Sequence, residues 1–161
     1  MSRIVCNAGP LIALGILDKL DVLQSLFAEV LVPKAVQTEI LRGGVRFSGL
    51  ESFQRAQWIH VAQPHHPEEL LTALLDAGEA AVIALARERG IGVVLIDERK
   101  ARKVARDVFG LQPIGTARVL VEAKKQKLLA EVAPALEELR RAGYWINDDI
   151  VHVALREAGE I

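Results

Sequence analysis

The chain has almost no cysteine and no long apolar run, and each absence excludes a class of protein. Because Cys6 is its one cysteine, it cannot form an intramolecular disulfide framework or a zinc site built on cysteines. Cys6 ends the apolar run at residues 4–6, so we expect a small buried hydrophobic residue there. No stretch is long enough to span a membrane, and the N-terminus lacks the order of a signal peptide. We therefore expect a cytoplasmic protein with no membrane partner.

Several motifs of common enzymes are also missing. The chain has no GxGxxG and no Walker A sequence, which weakens an assignment to dinucleotide or nucleoside-triphosphate binding. It has no GxSxG elbow, and its four histidines lack the HExxH spacing of a metalloprotease. A formal net charge of -1 neither supports nor excludes a nucleic-acid partner, so local patches would have to hold one.

The composition that is present suits one soluble domain. The chain has 161 residues, of which 51% are hydrophobic and 25% are charged. This is enough apolar material to build one core that needs no disulfide to stabilise it. No internal repeat, low-complexity tract or linker divides it. We predict a single domain over residues 1–161.

Short apolar strands alternate with helices along this domain. Strands are predicted at residues 3–6, 29–32, 58–62, 93–96 and 113–114. Helices are predicted from Pro10, from about Asp18, from Pro33, weakly over 47–56, and over 77–88, 98–108, 116–127, 130–141 and 148–158, with a loop at 64–67. This alternation predicts an α/β fold with right-handed crossovers, a mostly parallel sheet and helices on both faces.

Ligands in such sheets bind beyond the carboxyl ends of the strands, so the residues that follow the strands are the first candidates. Asn7 follows the first strand and Asp97 follows the fourth. Each has a plain structural alternative: Asn7 would begin the turn toward Pro10, and Asp97 would cap the next helix.

Two more carboxylates, Glu39 and Glu79, could likewise have either a functional or a purely structural role. Glu79 lies three residues after Asp76, as in a capping box, and Glu39 lies at the edge of a buried helix face, where a solvated glutamate is ordinary. Carboxylates that converge with Asp97 would repel one another, and a divalent cation such as Mg²⁺ or Mn²⁺ would remove that repulsion. The spacing alone does not establish the convergence.

A basic segment follows Asp97 directly. Four cations share one predicted helix face, namely Arg99, Arg102, Lys103 and Arg106. They could bind RNA phosphates beside an acidic site, or they could form an ordinary solvated face.

The order of these motifs resembles that of the PIN-like domains, in particular a small prokaryotic PIN-like family. The matching segments are NAGPLIAL at 7–14, VPKAVQTEI at 32–40, DAGEAAVIALA at 76–86, LIDERKAR at 95–102 and GT at 115–116. The resemblance covers nearly the whole chain, from the first strand to about Tyr144.

The resemblance implies a three-layer α/β/α fold with a parallel sheet of about five strands. It also implies an acidic cluster that binds Mg²⁺ or Mn²⁺ and cuts RNA, and many small members are similar to VapC-type toxins, which a partner antitoxin inhibits and which often form homodimers. By motif match, the four catalytic positions fall on Asn7, Glu39, Glu79 and Asp97. The last three of these would be the metal ligands.

The chain departs from the family pattern at two positions. The pattern has aspartate where this chain has Asn7, and serine or threonine where it has Gly9. Two functions therefore stay open: a metal-dependent ribonuclease with reduced activity, or a catalytically degenerate domain that binds nucleic acid or a protein partner. A third hypothesis, of a different class, is an α/β domain that binds a small molecule or phosphate through backbone amides.

Overall fold

The computed structural model describes residues 2–43, 49–66 and 68–161, which contain a sheet of five parallel strands. The strands are β1 (Arg3–Cys6), β2 (Glu29–Pro33), β3 (Ile59–Ala62), β4 (Val93–Leu95) and β5 (Gln112–Ile114). All five lie within one residue of the predicted bounds, and every neighbouring pair is parallel. The α/β prediction is confirmed.

Strand β1 is the middle of the sheet, in the order β3-β2-β1-β4-β5. Ile4, Val5 and Cys6 are fully buried, as expected for a strand covered on both faces. Burial raises the pKa of the Cys6 thiol well above its usual range, so this cysteine is an inert core residue.

Ten helices cover the sheet in the described residues. They are α1 (Ala8–Ile16), α2 (Val22–Leu26), α3 (Lys34–Gly43), α4 (Leu50–Arg55), α5 (Glu69–Leu74), α6 (Ala77–Glu88), α7 (Arg99–Asp107), α8 (Thr116–Lys125), α9 (Val132–Arg141) and α10 (Asp148–Glu157). The bounds of α6 are those predicted, whereas α1 begins two residues before Pro10 and α2 begins four residues after Asp18. Pro33 ends β2 instead of opening α3.

Helix α5 was not predicted. It has six residues, which is too short for a helical period to stand out, and its one buried anchor is Leu71. The weak helix predicted over 47–56 corresponds to α4, although residues 47–48 lie outside the described residues, as do Gly44 and Pro67.

The chain order of the strands creates a switch point between β1 and β4. From β1 the chain runs to β2 and β3 on one side, and then crosses back to β4 and β5 on the other. Cys6 pairs with Leu95 in register, and the Asn7 N–H donates to the Leu95 carbonyl at 2.9 Å. Asn7 and Asp97 therefore follow adjacent strands at the edge where ligands bind in such sheets. No helix in the described residues is both long and apolar enough to cross a membrane.

The end of the chain is bound to the start of α9. The Glu160 carboxylate accepts hydrogen bonds from the backbone N–H groups of Val132 (2.7 Å) and Ala133 (2.9 Å) and from Lys124 Nζ (3.0 Å). Burial acts to raise the pKa of Glu160, but these three donors outweigh it and lower the pKa below its usual value. Glu160 is thus the N-terminal cap of a helix that lies 28 residues earlier in the sequence.

We expect Glu160→Gln to lower the free energy of unfolding by about 0.5–2 kcal/mol at pH 7, as loss of a helix cap does. Because the pKa of Glu160 is lowered in the folded state, its stabilisation is present above the ordinary glutamate pKa and is lost as the pH falls through the folded value. Urea unfolding from pH 7 to pH 3 should show the difference between the two proteins shrinking in acid. Glu157→Gln is the control, because Glu157 forms an exposed ion pair with Arg118. Equal losses in both variants would contradict the capping role.

Candidate functional site

Asn7 presents a side-chain oxygen that no other described residue binds. It occupies the N-cap position of α1, but in the described part of the chain its side chain makes no cap hydrogen bond and its Oδ1 atom is buried without a partner. Asn7 does begin the turn into α1, as the structural alternative predicts, but its side chain neither donates nor accepts a capping hydrogen bond within the described residues. A buried acceptor without a donor is costly, so the site calls for a ligand or an ordered water at this atom.

Three elements meet around Gly78, in the first turn of α6. A Cβ atom on Gly78 would lie 3.4 Å from Asn7 Oδ1, 3.6 Å from Asp76 Oδ1 and 3.6 Å from Val36 Cγ2. The end of β1, the start of α6 and the inner face of α3 therefore converge at one point. Glycine leaves this corner open, whereas a larger side chain would contact the two oxygens.

Glu79 and Asp76 form the predicted capping box. The Glu79 N–H donates to Asp76 Oδ1 at 2.8 Å, and the Asp76 N–H donates to Glu79 Oε1 at 3.4 Å. Glu79 is nevertheless only 8% exposed. Burial raises its pKa, and the negative charge of Asp76 raises it further. The capping box explains the two backbone hydrogen bonds, but it does not explain why the Glu79 carboxylate is buried next to that of Asp76.

Glu39 belongs to the same neighbourhood. It lies on α3 with its side chain exposed, as the solvated alternative predicts. Partial burial raises its pKa, and so does the charge of Asp76. Asp76 therefore lies within electrostatic reach of both Glu39 and Glu79. We call Asn7, Glu39, Asp76 and Glu79 the acidic corner.

Asp97 has a different environment. Its oxygens accept hydrogen bonds from the Thr116 N–H (2.7 Å, to Oδ1), the Thr116 hydroxyl (2.6 Å, to Oδ2) and the Tyr144 hydroxyl (to Oδ2). It does not cap α7, because Glu98 takes that role and accepts from the Lys100 N–H at 3.2 Å. The capping alternative for Asp97 is therefore wrong.

Thr116 and Tyr144 belong to the site although neither was proposed as a site residue. Thr116 is fully buried and follows β5, so the rule that strand ends carry sites would have found it. Tyr144 lies between α9 and α10, where no pattern marks it. Burial raises its pKa, and the charge of Asp97 raises it further, so its hydroxyl stays protonated and donates.

The basic face beyond Asp97 contains three exposed cations instead of four. Arg99, Lys103 and Arg106 are exposed on α7, whereas Arg102 is half-buried and donates from Nη1 to the Ile96 carbonyl at 2.9 Å. Burial lowers the pKa of Arg102, and the nearby Asp97 partly offsets that effect. Arg102 thus balances the charge of Asp97 from inside the fold.

The carboxylate and amide oxygens of these residues are the type of ligand that a hard cation prefers. In the described ranges no group of three or more His, Cys, Asp or Glu side chains is arranged to hold a metal ion. Mg²⁺, however, is often held by one or two carboxylates together with water and substrate phosphates. The Asn7 oxygen, which has no partner in the described residues and lies with Asp76 Oδ1 around Gly78, fits such a site. The assignment of Asn7, Glu39, Glu79 and Asp97 as catalytic residues, with the three carboxylates as ligands, stays a prediction.

Comparison with known proteins identifies the fold. A family model described as a PIN domain matches residues 3–160. The chain belongs to the PIN-domain family. The match and the parallel sheet together confirm the predicted three-layer α/β/α PIN-like fold. PIN domains have a nuclease-like fold, generally depend on divalent metals and often bind RNA. The search of curated proteins found no match.

The hydroxyl of Thr116 should be needed to hold Asp97 in this PIN domain. We expect Thr116→Val to lower the free energy of unfolding by about 1.5–3 kcal/mol, the usual contribution of a hydrogen bond to a charged group. Thr116→Ser keeps the hydroxyl and is the matched control. Urea unfolding at pH 7 measures both, and a valine variant at least as stable as the serine variant would contradict the role.

Proposed function

We propose that this PIN domain is a metal-dependent ribonuclease whose acidic site is altered at Asn7. The observation that carries the proposal is the buried Oδ1 of Asn7, which has no partner in the described residues and lies with Asp76 Oδ1 around Gly78 in the acidic corner. An amide oxygen and two carboxylates with raised pKa values favour a cation, since a cation satisfies the oxygen and offsets the repulsion.

Each residue of the site would have its own role in the reaction. Glu39, Glu79 and Asp97 would hold Mg²⁺ or Mn²⁺, and Asn7 would offer its neutral amide oxygen from the end of β1. The bound ion would supply a Lewis acid and an activated water for hydrolysis of a phosphodiester. Thr116 and Tyr144 fix the Asp97 carboxylate in one direction. The exposed cations of α7 would attract the phosphates of an RNA chain.

The finer features of the proposal rest on the family resemblance. They are an RNA substrate, a place in a toxin–antitoxin pair of the VapC type, an antitoxin partner that inhibits the enzyme, a homodimer and a cytoplasmic location. The small-molecule or phosphate alternative has less support, because the backbone N–H groups of Glu79 and Thr116 already donate to the carboxylates of Asp76 and Asp97.

One observation favours a second candidate function. Asp97 already accepts three hydrogen bonds from protein donors, and position 7 has no carboxylate. A domain in this state would bind RNA or a protein partner through the same face without cutting. This is the catalytically degenerate alternative.

Cleavage of labelled RNA in Mg²⁺ or Mn²⁺ separates the two candidates. We expect Glu79→Gln and Asp97→Asn each to lower the rate by about 10²–10⁴-fold, as loss of a catalytic carboxylate does. Glu137→Gln, on the exposed face of α9, is the control and should keep full activity. Thermal unfolding of each variant checks that it is folded. Wild-type protein that binds RNA but cuts no faster than Asp97→Asn would establish the degenerate alternative.

Replacing Asn7 with aspartate tests the altered position directly. A new carboxylate beside Asp76 and Glu79 adds like charge, so we expect Asn7→Asp to lower the melting temperature in EDTA. Mn²⁺ should reverse the loss, because a ligand that binds only the folded state stabilises it by mass action. We expect cleavage at least tenfold faster than wild type. The same melting temperature with Mn²⁺ and with EDTA would argue against a cation at this corner.

A further inference from the structure

Gly9 and the Tyr144 hydroxyl occupy adjoining space. Gly9 lies in the first turn of α1, and a Cβ atom there would be 3.0 Å from Tyr144 Oη and 4.0 Å from Cζ. The first distance is tighter than nearly all real Cβ contacts. The backbone at Gly9 is ordinary helix, in which alanine is the better residue. The one feature of Gly9 that matters here is therefore its missing side chain.

The space left by Gly9 holds the hydroxyl that binds Asp97. Tyr144 is half-buried, and its hydroxyl donates to Asp97 Oδ2, which also accepts from Thr116 Oγ1. The hydroxyl thus bridges the two adjacent strand ends, with Gly9 just beyond β1 on one side and Asp97 just beyond β4 on the other.

Three donors on one carboxylate fix its orientation. A carboxylate offers about four lone-pair positions, so the bonds to Asp97 leave about one open. Thr116 alone reaches both oxygens from one side. The added bond from Tyr144 resists rotation about the Cβ–Cγ bond, so the open lone pair keeps one direction, as a preorganised site requires.

We propose that Tyr144 is a positioning residue of the site, and that position 9 is glycine so that the Tyr144 hydroxyl can reach Asp97. The inference deepens the proposed nuclease function and rests on it for its catalytic meaning. It adds the connection between α9 and α10 to a site that otherwise comes from the strand ends.

A double-mutant cycle at positions 9 and 144 tests the contact without any activity. Gly9→Ala should lower the melting temperature of the wild type, because its methyl group meets Tyr144 Oη. In the Tyr144→Phe background the oxygen is gone, so the same change should raise the melting temperature, since alanine replaces glycine in a helix. Equal effects in the two backgrounds would overturn the proposal.

Rescue of the hydroxyl tests the positioning role. We expect Tyr144→Phe to lower kcat for RNA cleavage by about 10–100-fold, as loss of an outer-shell partner does, with KM unchanged. Adding Gly9→Ser to Tyr144→Phe restores a hydroxyl near Asp97 and should recover part of kcat. Adding Gly9→Ala instead introduces the same Cβ atom without a hydroxyl, so it should not restore any of the lost kcat. Equal kcat in the serine and alanine double variants would overturn the role.

Tyr144 is the only tyrosine in the chain, so a tyrosine labelled with ¹³C at Cζ gives one resonance to follow. Mg²⁺ should shift this resonance to saturation in the wild type and not in Asp97→Asn. If Mg²⁺ binds by calorimetry and RNA is cut while the resonance stays in place, the inference fails and the proposed function stands. If the wild type neither binds Mg²⁺ nor cuts RNA, the proposed function fails, and the positioning role fails with it even where the stability coupling is observed.

Discussion

The parallel pairing of β1 with β4 is the constraint on which the site depends. β1 is buried on both faces and lies between β2 and β4, so its register is strongly specified. That register sets Cys6 opposite Leu95, and the Asn7 N–H continues the ladder onto the Leu95 carbonyl. Asn7 and Asp97 must then lie at one edge of the sheet although 90 positions separate them. The helices that follow the strands bring the remaining polar side chains to the same edge.

The polar groups at this edge differ in whether neighbouring protein groups satisfy their charge and hydrogen bonds. In the acidic corner, burial and then the charge of Asp76 raise the pKa of Glu39 and Glu79, and the Asn7 oxygen has no partner in the described ranges. Asp97, in contrast, is satisfied by Thr116 and Tyr144. The first group gains from a ligand that brings positive charge, whereas the second is already stable without one. Under the proposed function, the acidic corner would therefore gain most from the cation, and Asp97 would contribute an oxygen that Thr116 and Tyr144 already orient.

Local patterns in the sequence predicted most of the fold and part of the site. Helix α6 and its capping box follow from Asp76, Glu79 and a continuous apolar run, all within one segment. The capping role predicted for Asp97 is wrong because Glu98, one residue later, caps α7 and leaves Asp97 to distant partners. Tyr144 could not be predicted, since its bond to Asp97 spans 47 residues and depends on the tertiary position of the segment that follows α9. The same tertiary contact explains Gly9, which the family pattern alone marks only as a departure.

The neutral residue at position 7 changes the balance between stability and cation binding. An aspartate there would add a fourth carboxylate to those of Glu39, Asp76 and Glu79, and the folded protein without a cation would bear the repulsion. Asparagine keeps an oxygen at the same point and removes that charge. Under the proposed function, the fold would then tolerate the cation-free state, and affinity for the cation would be lower because one carboxylate is lost. Asn7 would be the position at which folding stability and metal affinity are in opposition, and substrate phosphates would have to supply the negative charge that this side chain does not.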